Sequence, residues 1–330
     1  MDSNMRPAAR QGHLARYVIL GNSAAGIAAA QEIRRHDPEG RITIVSDEKI
    51  FGYSRAMLPL YIAGKKTKRD IVFAPGAFYT AQKIRLLKGE TATTVDAREQ
   101  RVHLGSGKRL PYDRLLVATG SSSRALNVPG KELPGIFPLR KITDAEAIKK
   151  SLRSSRGPVV IVGGGLVGVK SLEALASKKR EIHLAISSDR ILSQMLDRTA
   201  SDFFLRAFER HGVHVHFHTD VTAFHGGEKL EGVSFSNGTQ LSCDLAIIGK
   251  GVDPNLGCLK ETGVALSQGV LVDDRMATNV PSIFAAGDVA EPLEVLQGKN
   301  LPSTIWPSAC EGGRVAGMNM AGVPATFSGA

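Results

Sequence analysis

The chain has 330 residues, 42% of them hydrophobic and 22% charged, with 35 glycines. That length holds two domains of ordinary size and that composition builds a core, which excludes a disordered chain and a small disulfide-stapled scaffold. Lys and Arg outnumber Asp and Glu by 42 to 32, a net charge of +10, so anionic partners are attracted; aromatics at 5% argue against a stacking nucleic-acid binder.

The first predicted element is a strand over Tyr17–Leu20, followed by a Gly-rich turn and a helix over Ala24–His36 built from strong helix formers. Arg6, Arg10 and Arg16 before the apolar run Tyr17–Ala30 imitate a signal peptide. Gly21-Asn22-Ser23 interrupts that run, and it continues into a charged helical segment, so it is read as fold. No apolar run approaches the ~20 residues of a membrane helix, and no membrane association is expected. Arg41–Ser46 alternates and is β-branched, a strand. Strands over Arg101–Leu104 and Leu115–Ala118 flank the turn Gly105–Gly107.

The opening pattern then returns. Pro158–Val162 reads as a strand, Gly163–Gly168 as a turn, Leu166–Lys178 as a helix and Glu181–Ile186 as a strand. A helix follows over Asp197–His211, with Phe203, Phe204, Ala207 and Phe208 on one face. Strands are expected at Val213–Phe217, Leu230–Phe235, Leu245–Ile248 and Pro281–Ala286, and a last helix at Ala309–Met320. Two β-turn-α-β units predict an α/β protein with two nucleotide-binding lobes on one plan.

The two turns carry the chemistry. Gly21-Asn22-Ser23-Ala24-Ala25-Gly26 is G-x-G-x-x-G with Ser23 for the middle glycine. Gly163-Gly164-Gly165-Leu166-Val167-Gly168 matches in full. In each, the first glycine permits the turn, the last lets helix pack on strand, and the helix N-terminus offers unpaired N–H groups to a pyrophosphate. The end of the second strand reports on the ribose. Ser46-Asp47-Glu48 supplies an acid in the first unit. In the second, Ile186 fills the acid position; Ser187, Ser188 and Arg190 suit a 2′-phosphate while Asp189 argues against it, which leaves the choice between NADH and NADPH open.

Cys243, Cys258 and Cys310 form no CxxC pair, which argues against a dithiol or a zinc cluster and fits a reducing cytoplasm. His214, His216 and His218 share one strand face but lie about 7 Å apart, with no carboxylate motif to complete a site, so no metal is expected. The run Lys65-Lys66-Thr67-Lys68-Arg69 reads as a solvated loop, or as a landing surface for an acidic protein.

Three further segments decide the class: Ala118-Thr119-Gly120, Thr278-Asn279-Val280-Pro281-Ser282-Ile283-Phe284-Ala285-Ala286-Gly287-Asp288, and Tyr53-Ser54-Arg55. With the two turns they resemble the pyridine nucleotide–disulfide oxidoreductases, flavoproteins with two dinucleotide-binding domains, over residues 16–324. Leu58-Pro59, Gly249-Lys250-Gly251-Val252 with Pro254-Asn255, Ile305-Trp306-Pro307 and Gly317–Gly322 are similar to the branch of NADH:rubredoxin reductases and the flavin part of assimilatory nitrite reductases. The resemblance implies two Rossmann-like domains, an FAD domain over 16–125 and 255–325 with an NAD(P)H domain over 126–254 inserted in it. It implies that Gly21–Gly26 hold the FAD pyrophosphate and Ser46, Asp47 and Glu48 its ribose. Arg55, Ala92, Thr119 and Gly120 line the flavin, Gly287 and Asp288 hold the ribitol, and Gly163, Gly165, Leu166, Val167, Gly168, Gly249 and Gly251 take NAD(P)H.

Three departures qualify it. No cysteine lies near Tyr53–Arg55, so a thiol–disulfide step is excluded and electrons leave the flavin directly. Lys170 stands where many relatives carry Glu, either as a cation favouring reduced flavin or as an ordinary partner of Glu173. The chain stops just after Asn319-Met320-Ala321-Gly322, where family members usually continue into a C-terminal interface domain, so the expectation is a truncated protein, a fragment or a subunit completed by a partner, which puts a homodimer of the family kind in doubt. The implied activity is an FAD-dependent NAD(P)H oxidoreductase passing electrons to rubredoxin or another small acidic carrier. The alternatives are an oxidase or diaphorase using O₂ or a small-molecule oxidant, and a non-catalytic nucleotide-binding subunit.

Overall fold

The computed structural model describes residues 14–175, 180–294 and 298–329. Its helices are α1 Ala24–His36, α2 Leu58–Ala63, α3 Gly76–Ala81, α4 Ile142–Ser154, α5 Leu166–Leu175, α6 Arg198–Arg210 and α7 Trp306–Met320. The end of the expected helix Leu166–Lys178 falls outside the described residues. The chain divides into two compact units. One takes the described residues of Met1–Ser54, Val72–Ser121 and Pro254–Ala330; the other takes those of Arg55–Ile71 and Ser122–Asp253.

The first unit is built on a five-stranded sheet in the order Ile283–Ala285, Arg114–Val117, Arg16–Leu20, Arg41–Ser46, Ile84–Lys88. All four pairings are parallel. Parallel strands need both faces covered, which is why Val18, Ile19 and Leu20 form an unbroken apolar run and are all buried. α1 and α7 lie against each other at very short range. A Cβ on Gly313 would stand 2.2 Å from the Ala25 carbonyl oxygen, and one on Gly317 2.5 Å from that of Ala29. Two small residues one helical turn apart on each helix let the backbones meet.

The second unit repeats the plan. Its sheet runs Ile136–Pro138, Leu245–Ile248, Val159–Val162, Ile182–Ala185, Val213–His216, again all parallel. In both sheets the strand leading into the Gly-rich turn is central. Each unit also carries a three-stranded antiparallel meander: Ala92–Asp96, Arg101–Leu104 and Arg109–Pro111 in the first, Val221–His225, Gly232–Phe235 and Gln240–Ser242 in the second. In the second unit Phe224, Val233 and Phe235 of the meander pack on Val160, Val162, Ala246 and Ile248 of the sheet. The fold is α/β with two Rossmann-like units, as the turns implied.

Two expectations change. The sequence reading ran its first stretch unbroken to residue 125, but Arg55–Ile71 clusters with the second unit. The cause is α2, whose apolar side packs against α4 and α5. His218 does not share a strand face with His214 and His216: the strand ends at His216, and His218 turns away at φ +52°. Its place beside His216 is taken by His183, whose Nδ1 lies 3.0 Å from His216 Nε2.

Gly313→Ala separates two physical effects. Helix propensity alone favours alanine by about 1 kcal/mol in a helix interior. A methyl group driven into the Ala25 backbone costs about 1–3 kcal/mol as overpacking. The expected result is a lower urea midpoint for the variant; a higher one would mean that α1 and α7 separate freely.

Candidate functional site

In the first unit the sequence-predicted residues converge on the carboxyl edge of the sheet. Gly21 follows Leu20, Asp47 and Glu48 follow Ser46, Thr119 and Gly120 come just beyond Val117, and Gly287 and Asp288 come just beyond Ala285. Gly21 adopts φ +128°, and a Cβ there would stand 1.9 Å from the Ala118 carbonyl oxygen. A Cβ on Gly26 would stand 2.0 Å from the Gly21 carbonyl oxygen, so α1 starts directly on the turn. Ser23, Ala24 and Ala25 form its N-terminus, where no side chain caps the helix and no acidic residue occupies the first turn.

Neighbouring side chains fix the edge. The Tyr79 hydroxyl donates to Asn22 Oδ1 at 2.6 Å and accepts the Gly52 N–H at 3.1 Å. Tyr53 donates to Glu48 Oε2 at 2.7 Å. Ser46 accepts the Glu90 N–H through its carbonyl at 2.9 Å, which brings the meander carrying Ala92 to the edge. Thr119 Oγ1 donates to the Asn255 carbonyl at 2.8 Å, and Asn255 returns a bond from Nδ2 to the Thr119 carbonyl at 2.9 Å. Ser121 donates to Asp288 Oδ2 at 2.8 Å. Gly287, at φ +79°, lies against Ala25 of α1 and Ala309 of α7, so Asp288 sits beside the first turns of both helices.

The second unit repeats the turn. A Cβ on Gly163 would stand 2.4 Å from the Gly249 carbonyl oxygen, and one on Gly168 1.9 Å from that of Gly163. Gly251 has φ +92°. Gly165 differs: nothing lies within 4 Å of a Cβ built on it. Leu166 is exposed and Val167 half-buried above the same opening, and α5 has no acidic residue in its first turn. This is a helix start with open space over Gly165 and no acidic residue in its first turn, which suits a pyrophosphate. Lys170 donates to Glu173 Oε2 at 3.0 Å as a surface pair. Arg55 belongs to this unit and donates through Nη1 to the Arg140 carbonyl at 2.9 Å.

Tyr79, Ser121 and Asp220 carry no signal in the sequence, whereas Ser187 and Lys250 lie in segments it already marks, one after the second strand of the second unit and one between Gly249 and Gly251. Ser187 Oγ donates to Asp220 Oδ1 at 2.7 Å, and Lys250 Nζ bonds both Ser187 and Asp220.

A family model described as pyridine nucleotide-disulphide oxidoreductase matches residues 15–312. The chain belongs to that family. It is 31% identical over 309 residues to the NADH-dependent phenylglyoxylate dehydrogenase subunit epsilon of Aromatoleum evansii, covering 94% of this chain and 73% of the relative. It is 31% identical over 275 residues to rhodocoxin reductase of Rhodococcus erythropolis, covering 83% of this chain but 64% of the relative. Among solved structures, the covalent putidaredoxin reductase–putidaredoxin complex superposes with a TM-score of 0.90 at 29% identity, covering 95% of this chain and 77% of that one. As a pyridine nucleotide-disulphide oxidoreductase relative, this chain is an NAD(P)H-dependent flavin oxidoreductase, and its cofactors are FAD and NAD(P)H.

The disulphide of the family name has no counterpart in its chemistry. All three cysteines are free. Burial pushes the Cys243 thiol up to about 12 and the Cys258 thiol to about 11, and burial also raises Cys310. A raised thiol pKa leaves the unreactive neutral form in place at ordinary pH. At pH 8 the thiolate fraction is on the order of 1 in 10,000 for Cys243 and 1 in 1,000 for Cys258. A colorimetric disulfide reagent at pH 8 should therefore titrate no more than Cys310 in the folded protein and all three thiols after denaturation. Fast reaction of Cys243 or Cys258 in the folded state would contradict this burial.

Proposed function

We propose that the first unit holds FAD, that the second holds NAD(P)H, and that electrons pass through the flavin to a small acidic electron-transfer protein of the rubredoxin or ferredoxin kind. The observation that carries the reading is the duplicated edge: two five-stranded parallel sheets of equivalent order, each with a Gly-rich turn at the carboxyl end of its central strand. Ligands of open α/β sheets bind at that position.

In the first unit, Gly21–Gly26 and the α1 N-terminus would take the FAD pyrophosphate. Glu48, held by Tyr53, and Asp47 would take the adenosine ribose. Asp288, held by Ser121, would bond the ribitol chain, and Thr119, Gly120 and Ala92 would line the flavin. In the second unit, Gly163–Gly168 would take the NAD(P)H pyrophosphate, with Gly249 and Gly251 along its course. FAD when bound supplies the hydride and single-electron chemistry. The protein's part is then to bind, orient and exclude water, so no nucleophile or acid–base pair is required. The Lys170–Glu173 pair supports its bland reading as surface charge over a role as a flavin cation. A cytoplasmic location is supported by the three free cysteines.

The acceptor class is supported by names and by charge. Rhodocoxin reductase and the putidaredoxin reductase complex are relatives named for small redox proteins. In the second unit Lys68 pairs with Glu146 of α4 at 2.8 Å, which joins the run Lys65–Arg69 to the α4 surface. There Lys149, Lys150, Arg153 and Tyr61 line an open cavity of about 480 Å³. Lys149 Nζ stands over the Tyr61 ring, 3.9 Å from its centroid. Lysine and arginine outnumber the one carboxylate, Glu146, in this lining.

Two variants test the division of labour. Asp288→Ala removes a charged hydrogen-bond acceptor, on the order of 1.5–3 kcal/mol, and should lower FAD retention about 10- to 100-fold. Gly165→Val fills only open space, so the fold and FAD content should persist while reduction by NAD(P)H fails. Loss of FAD in the second variant would argue against separate sites.

Stopped-flow measurement of the two half-reactions tests the acceptor. Electrostatically steered association slows steeply with ionic strength. Oxidation of the reduced protein by an acidic carrier should slow several-fold or more between low and high salt. Reduction by the small nicotinamide should change far less. Lys65→Glu with Lys66→Glu should slow the carrier step alone; indifference to salt and to both substitutions would favour a small neutral oxidant.

A further inference from the structure

Across the edge of the second sheet, the strand ends run in the order Leu245–Ile248, Val159–Val162, Ile182–Ala185, Val213–His216. Lys250 follows the first of these, Ser187 the third, and Asp220 the fourth. The Gly163–Gly168 turn leaves the second. Lys250 starts beside that turn, since a Cβ on Gly163 would lie 3.5 Å from its backbone nitrogen. Its ammonium nevertheless bonds Ser187 and Asp220 on the far side. The side chain therefore lies across the mouth of the turn, where the adenosine half of a dinucleotide must enter.

The other groups at the end of Ile182–Ala185 are all accounted for. Ile186 occupies the position whose carboxylate ordinarily bonds the ribose 2′-hydroxyl. It is buried and packs over Gly164, whose Cβ would come within 2.9 Å of it. Asp189 is neutralised twice, by Arg190 at 3.0 Å and by Arg198 at 2.5 Å. The Arg190 guanidinium is further tied to the carbonyls of Leu196 and Ser193 at 3.1 and 2.9 Å. Asp220 is neutralised by Lys250. No carboxylate here is left without a cation, and the charges of Asp189, Arg190, Arg198, Asp220 and Lys250 sum to one positive.

We propose that Lys250 and Ser187 form a clamp for the adenosine 2′-phosphate, so that the protein selects NADPH over NADH. On binding, Lys250 exchanges the Asp220 carboxylate for the phosphate dianion, and Ser187 turns its hydroxyl from Asp220 to a phosphate oxygen. Asp220 is half exposed at 52% of its side-chain surface, so it can return to water when the lysine leaves. NADH offers hydroxyls only. It leaves the Lys250–Asp220 pair shut across the turn and finds an apolar side chain at 186.

The proposal rests on the reading of Gly163–Gly168 as the pyridine-nucleotide turn, and a binding experiment separates the two. Calorimetry on the FAD-loaded protein would compare 2′,5′-ADP with 5′-AMP, two non-redox fragments that differ only by the phosphate in question. Wild type should bind 2′,5′-ADP at least ~10-fold more tightly, a difference of about 1.4 kcal/mol. Lys250→Met should erase the difference, and Asp220→Asn, which frees the lysine, should widen it. The ratio of kcat/KM for NADPH and NADH should follow the same order. Equal binding of both fragments by wild type, or a preference that survives Lys250→Met, overturns the clamp and leaves the turn assignment standing. Failure of both fragments to bind overturns the turn assignment and the clamp together.

Discussion

In the two glycine turns, four glycine Cα atoms lie so close to a peptide carbonyl that no side chain fits between them. Gly21 faces Ala118 and Gly163 faces Gly249; Gly26 faces Gly21 and Gly168 faces Gly163. The first member of each pair brings the central strand against the end of its neighbour. The second seats the following helix on the turn itself. With both in place, the first N–H groups of α1 and α5 are brought to the carboxyl edge of their sheets, and the helix dipole adds partial positive charge there. A single methyl group at any of these positions must displace backbone, so the two sites depend on these contacts before any binding group is considered. The middle positions are free of that constraint, which is why Ser23 is admitted in one turn and Gly165 stands over open space in the other.

The same frame is then furnished differently in the two units. In the first, α7 returns to lie along α1, and Gly313 and Gly317 allow an approach that places Asp288 by both helix starts. A carboxylate held there by Ser121 suits the hydroxyls of a polyol chain. In the second unit the edge is closed by charge, with Lys250 laid across it. Both edges rest on glycine packing, and the second adds a salt bridge between Lys250 and Asp220 laid across it. The difference suits a cofactor that stays and a substrate that comes and goes.

The duplicated pattern was legible because parallel strands buried on both faces become unbroken apolar runs. Val159–Val162 and Leu245–Ile248 declare themselves this way, and the turns declare themselves by glycine spacing. α4 carries its buried side chains at Ile142, Ala145, Ile148 and Leu152, a helical spacing diluted by lysines and passed over in the sequence. The outer strands of both meanders are three to five residues long and largely polar, too short for a period to emerge. The grouping of Arg55–Ile71 with the second unit had no local signal at all, because it is decided by which helices α2 meets. Among the site residues, those in the glycine turns were readable from type and spacing. Tyr79, Ser121 and Asp220 act through hydrogen bonds to residues distant in sequence, and only the fold brings those partners together.

The thiols set the last constraint on the chemistry. In a protein whose family name includes a disulphide, a cysteine in a polar, cation-rich pocket would be a natural electron relay, because such surroundings stabilise the thiolate. Cys243 and Cys258 are in the opposite setting, packed among apolar side chains with their thiols held neutral. Cys310 stands partly buried on α7, and burial raises its pKa as well. None of the three forms a bond to another, so no pair exists to shuttle two electrons. Reducing equivalents that reach the flavin must therefore leave it without a protein dithiol. That requirement leaves the choice of acceptor to the protein surface, and the lysines and arginines of Lys65–Arg69 and α4 are the surface proposed for it above.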